Sequence, residues 1–156
     1  MSKSIKRVRV AAETLGLDID IQRMGESTRT AEDAARACGC SVAQIVKSLI
    51  FKGRDSGDLI LLLVSGSNQV DPEKAAIAIG ERLDRADADE VRARTGFAIG
   101  GVSPIGHLEP PSIWMDRDLA QHDVIWAAAG APDAVFRTTP GDLARATAAS
   151  LIDLSR

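Results

Sequence analysis

The sequence predicts an α/β protein of the α+β type, with a mixed, largely antiparallel sheet or an open barrel and flanking helices. Segments with helical periodicity alternate along the chain with short apolar runs typical of strands. Several links between consecutive strands are too short for a parallel crossover, which takes a dozen or more residues. The chain has 156 residues, a length that buries about 70% of the unfolded surface. We therefore expect one domain over residues 1–156.

The first half of the chain has a clear order of predicted elements. Apolar residues at helical spacing predict a first helix, and alternating apolar and polar residues predict a strand after it. Thr30 and Asp33 have the spacing of a capping box, IVKSLIF and LILLLV have the composition of buried strands, and Pro72 suits a first helical position. These elements cover, in order, residues 4–15, 18–23, 31–37, 45–51, 59–64 and 72–80.

The second half begins with a short helix that leads into a glycine-rich segment. Beyond that segment, three apolar runs predict strands, and the first of them is followed by a helical turn through Leu119. Thr139 and Pro140 have the composition of a helix start and predict a last helix. These elements cover, in order, residues 87–94, 112–115, 124–128, 134–137 and 142–149.

The charge and aromatic content limit the ways in which the protein can bind nucleic acid. The net charge is −3, aromatic residues make up 3% of the chain, and there is no tyrosine. A general nucleic-acid coat protein is excluded, because non-specific affinity comes from neutralising phosphates with Lys and Arg. Local basic groups remain, and they are either a solvated surface or a limited RNA contact. They are Lys3, Lys6, Arg7 and Arg9, then Lys52 and Arg54, and then Arg82, Arg85, Arg92 and Arg94.

The cysteines and histidines do not favour a metal site. Cys38 and Cys40 are separated by one residue, and His107 and His122 lie in different segments without a zinc-ligand spacing. We expect incidental thiols, no cofactor and a cytoplasmic location. No apolar run is long enough to span a bilayer, and the N-terminal segment resembles an amphipathic helix rather than a signal peptide. No membrane partner is expected.

The segment TGFAIGGVSPIGH, residues 95–107, combines glycines and a proline with apolar residues. Glycine allows backbone conformations closed to other residues and lets a ligand approach the main chain. An apolar loop of this kind is either a tight buried turn or a wall of a pocket that presents main-chain groups.

Lys47 lies within an apolar run and shares a strand face with Ile45, Leu49 and Phe51. A buried ammonium is costly unless it is paired or lines a cavity. Lys47 is therefore either a structural lysine that reaches a sheet edge or a carboxylate, or a pocket cation that binds a carbonyl or carboxylate. Asn68, in the polar turn after the next strand, either donates to a ligand or satisfies its own backbone.

The order of these segments resembles one known family. STRTAEDAA, QIVKSLIF, LLLVSGSNQVD and TGFAIGGVSPIGH follow one another, and an apolar strand ending in Asp116 comes next. This order is similar to that of the YbaK and prolyl-tRNA-editing-domain family and covers nearly the whole chain. The resemblance implies a free-standing aminoacyl-tRNA deacylase whose partner is a mischarged tRNA. It leaves open whether the protein works alone or with a prolyl-tRNA synthetase as a second partner.

The resemblance also assigns roles to particular residues. Lys47 matches the active-site lysine of the family's KxLxF strand, and the segment from Gly100 to Pro104, with Gly101 and Ser103 inside it, matches the GxxxP loop that holds the aminoacyl group. Thr30 and Asn68 fall in segments that border the family's pocket.

Ester hydrolysis is consistent with these residues. It needs a positioned water and donors for the charge that develops on the carbonyl oxygen. The Gly100 and Gly101 amides are candidate donors, and Lys47 is a candidate for orienting the substrate. The sequence contains no recognisable Ser-His-Asp or Cys-His set, so a covalent acyl-enzyme is not expected. We expect direct attack by water, with the tRNA ribose hydroxyl as base.

A small pocket lined by Ile45, Leu49, Ile99 or Ala129 is predicted to admit a small amino acid and exclude a larger one. Two alternatives stay open: an inactive tRNA- or synthetase-binding module of the same fold, and a small-molecule ester hydrolase.

Overall fold

Five α-helices and eight β-strands form the fold in a computed structural model that describes residues 2–156. The helices are α1 (Lys3–Leu15), α2 (Ala31–Cys38), α3 (Pro72–Ile79), α4 (Ala88–Thr95) and α5 (Pro140–Thr147). The strands are β1 (Ile21–Arg23), β2 (Val46–Gly53), β3 (Leu59–Ser65), β4 (Leu83–Arg85), β5 (Ser112–Asp116), β6 (Ile125–Ala128), β7 (Ala134–Thr138) and β8 (Ser150–Ile152). Short 3₁₀ turns cover Val42–Gln44 and Arg117–Gln121.

The strands form two sheets that meet at a single bridge. The larger sheet has the order β4-β2-β3-β5-β8, and the smaller has the order β1-β7-β6. All pairs are antiparallel except β3 with β5 and β5 with β8. Both parallel pairs are joined by long connections that contain helices, as parallel pairing requires. The predicted mixed, largely antiparallel sheet with flanking helices is confirmed.

Strand β3 lies at the centre of the core. Every residue of β3 is buried, as the unbroken apolar run predicts for a strand covered on both faces. Leu61 and Leu63 pack into the main core with Phe97 and Phe136, whereas Leu62 packs on the opposite face of the sheet. The larger sheet therefore separates two apolar layers and gives its neighbour β2 a fixed position.

Local signals place most elements within a few residues of their predicted bounds. The Thr30 hydroxyl accepts a hydrogen bond from the Asp33 N–H at 3.0 Å and starts α2 as predicted. The strand predicted over residues 18–23 is confined to Ile21–Arg23, and the helix predicted over residues 142–149 begins at Pro140 and ends at Thr147. Strands β4 and β8 were not predicted. Each has only three residues and forms by pairing at a sheet edge rather than by its own apolar pattern.

Among residues 2–156, no helix has the length and apolar character needed to cross a membrane.

Candidate active site

A cavity of about 620 Å³, here called cavity I, opens where the two sheets separate. A bridge between Ile45 and Trp126 joins the two sheets at the start of β2. On the edge of β2 that faces away from β3, the next paired residue is Phe51, which pairs with Arg85 of β4. The stretch of β2 between these points borders the cavity. Residues 28–31 at the start of α2, residues 99–100 of the glycine-rich loop and residues 126–128 of β6 contribute the other walls. The cavity lies within the size range of small-molecule sites.

Lys47 lies on β2 and lines cavity I. Its ammonium group donates a hydrogen bond to the main-chain carbonyl of Asn68. Burial lowers the pKa of Lys47 below its ordinary value of 10.5, and the carboxylates of Glu32 and Asp116 oppose that shift. The lysine therefore makes a structural contact and also lines the cavity. Its binding to a substrate carbonyl or carboxylate stays a prediction.

A polar network behind Lys47 fixes the turn that holds Asn68. The Asn68 side-chain amide donates to Asp116 and Asp118, each at 2.8 Å. Asp116 is only 1% exposed and also accepts from the Ser65 and Asp118 N–H groups at 3.1 and 3.0 Å. Because these donors satisfy the buried carboxylate, the Asn68 carbonyl that binds Lys47 is held in one position.

The loop from residue 95 to residue 107 contributes both to the core and to the wall of cavity I. Residues 102–105 are buried, and the His107 ring donates through Nε2 to the Ser103 carbonyl at 2.6 Å. Burial lowers the pKa of His107 from 6.5 to about 4, so the ring is neutral near pH 7. Ile99, Gly100 and Val102 line the cavity, so Val102 is both buried and part of the cavity wall. The segment is a buried turn and a pocket wall together.

The two adjacent glycines of this loop differ in their contacts. Gly100 lines cavity I with φ of +93°, and a Cβ there would lie 3.0 Å from the Arg29 side chain. The Gly101 N–H donates to the Ala98 carbonyl at 3.0 Å, and a Cβ on Gly101 would lie 3.1 Å from the Ala131 backbone. The sequence-based assignment of the Gly101 amide as a donor to substrate therefore does not fit this conformation. Gly101 allows close packing, and Gly100 is the glycine at the cavity.

The other predicted site residues divide into two groups. Those that line cavity I are Thr30, Ile45, Leu49 and Ile99. Those that do not line it are Asn68, Ser103, Pro104 and Ala129. Asn68 instead contacts Lys47, whose ammonium group binds its main-chain carbonyl. Ser103 and Ala129 are fully buried at 0% exposure and pack within the loop and at the end of β6. In place of Ala129, its neighbour Ala128 lines the cavity.

Three further residues line cavity I: Ser48 and Arg29, which the sequence analysis did not name, and Arg85, which it named only among the local basic groups. The Gly66 N–H donates to the Ile45 carbonyl at 2.7 Å. With the register of β2 and β3, this bond shows that every second residue from Ile45 onwards directs its main-chain N–H and C=O groups towards β3. By alternation, the main-chain groups of Ser48 point away from β3, to the side where the cavity opens. The Ser48 hydroxyl is buried and has no hydrogen-bond partner within residues 2–156. A serine within an apolar strand carries no sequence signal for this position.

The lining of cavity I limits its chemistry. Apolar residues dominate, and its polar side chains are hydroxyls and cations: Thr28, Thr30, Ser48, Arg29, Lys47 and Arg85. No carboxylate, imidazole or thiol is part of the lining formed by the described residues. Such a site can hold a small apolar group and offer donors to a carbonyl or to an anion. A mixed α/β domain with a largely apolar cavity of this size and a few polar side chains has the features of a small-molecule-binding domain.

Comparison with known proteins identifies the family of the chain. Residues 25–146 match the family model of the aminoacyl-tRNA editing domain, so the protein belongs to that family. The relatives include "Uncharacterized protein YwhH" of Bacillus subtilis, with 30% identity over 140 residues, 90% of this chain and 88% of that protein. They also include "Putative Cys-tRNA(Pro)/Cys-tRNA(Cys) deacylase EbsC" of Enterococcus faecalis, with 28% identity over 131 residues, 78% of this chain and 79% of that protein.

A solved structure shows the same fold. It is described as a "putative trans-editing enzyme for prolyl tRNA synthetase", is 46% identical, has a TM-score of 0.94 and matches 100% of this chain and 99% of its own. The family resemblance found in the sequence is confirmed, and the family and its relatives support a tRNA-editing role.

Proposed function

We propose that the protein hydrolyses the ester that links a wrongly attached small amino acid to a tRNA, with tRNA-Pro as the expected acceptor. The observation that carries this proposal is that Lys47 and Gly100, which lie far apart in the sequence, both line one largely apolar cavity. The names of two relatives point to the same substrate class, because one is described as a deacylase of Cys-tRNA(Pro) and another as a trans-editing enzyme for prolyl tRNA synthetase.

In the proposed reaction, water attacks the ester carbonyl directly. The acyl side chain enters cavity I between Ile45, Ile99 and Ala128, and the Lys47 ammonium and a main-chain group of Gly100 stabilise the charge that develops on the carbonyl oxygen. The described lining offers no side-chain base, so the free hydroxyl of the terminal ribose accepts the proton of the attacking water and passes its own proton to the leaving ester oxygen. The carbonyl–oxygen bond then breaks, releasing the amino acid and the tRNA 3′ end.

Selectivity follows from the size of the cavity. A synthetase separates amino acids that differ by one methylene by only about 1–3 kcal/mol, so a second hydrolytic site of different size improves accuracy. The walls of cavity I include the small residues Ala31, Ala34 and Ala128. A small acyl group fits against them.

The direct test is deacylation of a panel of charged tRNAs by the purified protein. Acceptor tRNA-Pro would carry alanine, serine, threonine, cysteine or 2-aminobutyrate, with cognate Pro-tRNA as the control. We expect selective hydrolysis of one or two mischarged species. Binding of tRNA with no hydrolysis would identify an inactive binding module, and equal hydrolysis of free amino-acid esters with no gain from tRNA would identify a small-molecule esterase. Either result would overturn the proposal.

A further inference from the structure

A second cavity of about 500 Å³, here called cavity II, lies beside cavity I on strand β2. Lys47, Leu49, Phe51 and Arg85 line both cavities, so the two share a boundary. Cavity II extends from this boundary towards the β2–β3 turn, α3 and β4. A ligand in either cavity would contact the residues of this boundary.

Every charged side chain that lines cavity II is basic. These side chains are Lys47, Arg54, Arg82, Arg85 and Arg156. The chain as a whole carries a net charge of −3, so this concentration of positive charge is local. Leu49, Phe51 and Leu83 form apolar walls between the cations. A cleft lined by one sign of charge with apolar walls focuses the electrostatic potential and attracts ligands of the opposite charge.

Two of these arginines are held by ion pairs that a ligand can replace. Arg54 pairs with Asp84 at 3.0 Å and Arg82 with Glu73 at 2.9 Å, and the arginine side chains are 58% and 54% exposed. Pairs of this exposure contribute little to stability, because water screens them. Neither Asp84 nor Glu73 lines the cavity. Guanidinium groups therefore stand at the rim of cavity II and suit bidentate contacts with phosphate oxygens.

We propose that cavity II binds the phosphodiester backbone of the single-stranded 3′ end of the RNA whose terminal acyl group enters cavity I. This inference rests on the proposed function and adds to it the surface that receives the nucleotides. The ester lies at the shared boundary, next to Lys47 and Arg85, and the preceding nucleotides follow the arginines. Phe51 offers an aromatic face for one base, the arrangement by which proteins grip single strands without reading their sequence.

A matched pair of double variants tests the inference through binding alone. Arg54→Gln/Arg82→Gln removes two exposed, ion-paired arginines of cavity II. Arg23→Gln/Arg145→Gln removes two others, which pair with Asp133 and Asp142 at 2.8 and 2.9 Å, are 54% and 69% exposed and lie outside both cavities. The affinity for a fluorescent single-stranded RNA ending in CCA is measured by anisotropy over a range of salt concentrations.

We expect the cavity II variant to bind this RNA about tenfold more weakly and to reduce the slope of log affinity against log salt by about 0.7 for each arginine removed. The control variant should match the wild type. Equal behaviour of the two double variants would overturn the inference. So would binding of cytidine monophosphate or inorganic phosphate to the wild type as tightly as the RNA, because the site would then hold a single phosphate.

A kinetic arm separates failure of this inference from failure of the proposed function. The cavity II variant should have a raised KM for mischarged tRNA and unchanged hydrolysis of the matching aminoacyl-adenosine, which lacks the phosphates. If the wild type hydrolyses tRNA esters and the two variants have the same KM, the inference fails and the function stands. If the wild type hydrolyses none of these esters, but the Arg54→Gln/Arg82→Gln variant binds the RNA more weakly than the wild type, the proposed function fails and cavity II remains an RNA site.

Discussion

Cavity I and cavity II share one strand but differ in the chemistry of their walls. The charged side chains of both cavities are basic, but cavity I has only Arg29, Lys47 and Arg85 in a mainly apolar lining with hydroxyls and the main chain of a glycine-rich loop, whereas cavity II has five cations in a smaller lining. The first suits a small acyl group and the second a chain of phosphates. The difference indicates how a chain with a net negative charge can bind a polyanion. In our proposal, cations concentrated beside the acyl site supply the attraction.

The strongest test of this division concerns Lys47, which lies on the boundary. Lys47→Met should lower kcat for deacylation by about 100-fold or more, because it removes a donor that stabilises developing charge. The free energy of unfolding should change by less than about 1 kcal/mol, since a half-buried charge is removed and no cavity is created. Single-turnover deacylation measures the rate of hydrolysis, and urea unfolding measures the free energy of unfolding.

Lys52→Met is the matched control for that variant. Lys52 is on the same strand, pairs with Glu90 at 2.8 Å and lines neither cavity. It should keep wild-type kcat. A Lys47→Met protein that unfolds easily but keeps its activity per folded molecule would show that the lysine is a structural partner only.

The loop wall of cavity I is tested at Gly100. Gly100→Ala introduces a Cβ at φ of +93° and places it 3.0 Å from the Arg29 side chain. We expect between about 10- and 100-fold lower kcat/KM, because small displacements of positioning groups are costly. Gly80→Ala is the control, since Gly80 has φ of +95° and open space around the new Cβ. Both variants should lose about 1–2 kcal/mol of stability, so equal loss of activity in both would contradict a specific role for Gly100.

The size of cavity I is tested at Ala128. Ala128→Val adds two methyl groups to the wall at the end of β6. Hydrolysis of larger acyl groups, such as threonine, should fall about tenfold more than hydrolysis of alanine, in line with the effect of one or two methyl groups on selectivity. The measurement is the ratio of kcat/KM values for the two charged tRNAs. A parallel fall for both would place the acyl group elsewhere.

The buried half of the loop gives a pH prediction. The folded state holds the pKa of His107 at about 4 through burial, against 6.5 in the unfolded chain. Between these two pKa values the unfolded state therefore binds more protons than the folded state, and the free energy of unfolding rises with pH. The contribution of His107 to that free energy is fully present above pH 6.5, and about 3 kcal/mol of it is lost as the pH falls to 4. Urea unfolding of wild type and His107→Gln at pH 7 and pH 4.5 measures it. An identical pH dependence in both proteins would contradict the assignment.

The smallest effect is expected at Glu32, whose carboxylate raises the pKa of Lys47 against the effect of burial. Glu32→Gln should lower the pKa of Lys47, as followed by NMR of the labelled lysine side chain. Asp33→Asn is the control, because Asp33 lies in the same first turn of α2 and exerts no such effect on Lys47. An equal shift in both variants would assign the effect to the helix end rather than to Glu32.

Local patterns in the sequence were enough to predict the parts of the fold and site that depend on one segment. The apolar runs of β2 and β3 are strands by composition, and Lys47 stands out as a cation in such a run. Arg85 could not be singled out, because an arginine beside acids resembles a solvated surface. It reaches both cavities through the pairing of β4 with the end of β2. The sequence predicts Ala129 in the pocket wall, but Ala128 lines the cavity, because the register of β6 is set by β7, which no local pattern reveals.

The central claim is that the acyl group occupies cavity I and the nucleotide extends from Lys47 towards cavity II. The most direct measurement is a crystal structure with an amide-linked 3′-alanylamino-3′-deoxyadenosine, which resembles the tRNA end but resists hydrolysis. Our account predicts the alanyl group beside Gly100 and Ala128, its carbonyl near Lys47, and the adenosine 5′ oxygen directed towards Arg85. An analogue bound with cavity I empty, or with its adenosine in cavity I and its acyl group in solvent, would contradict it.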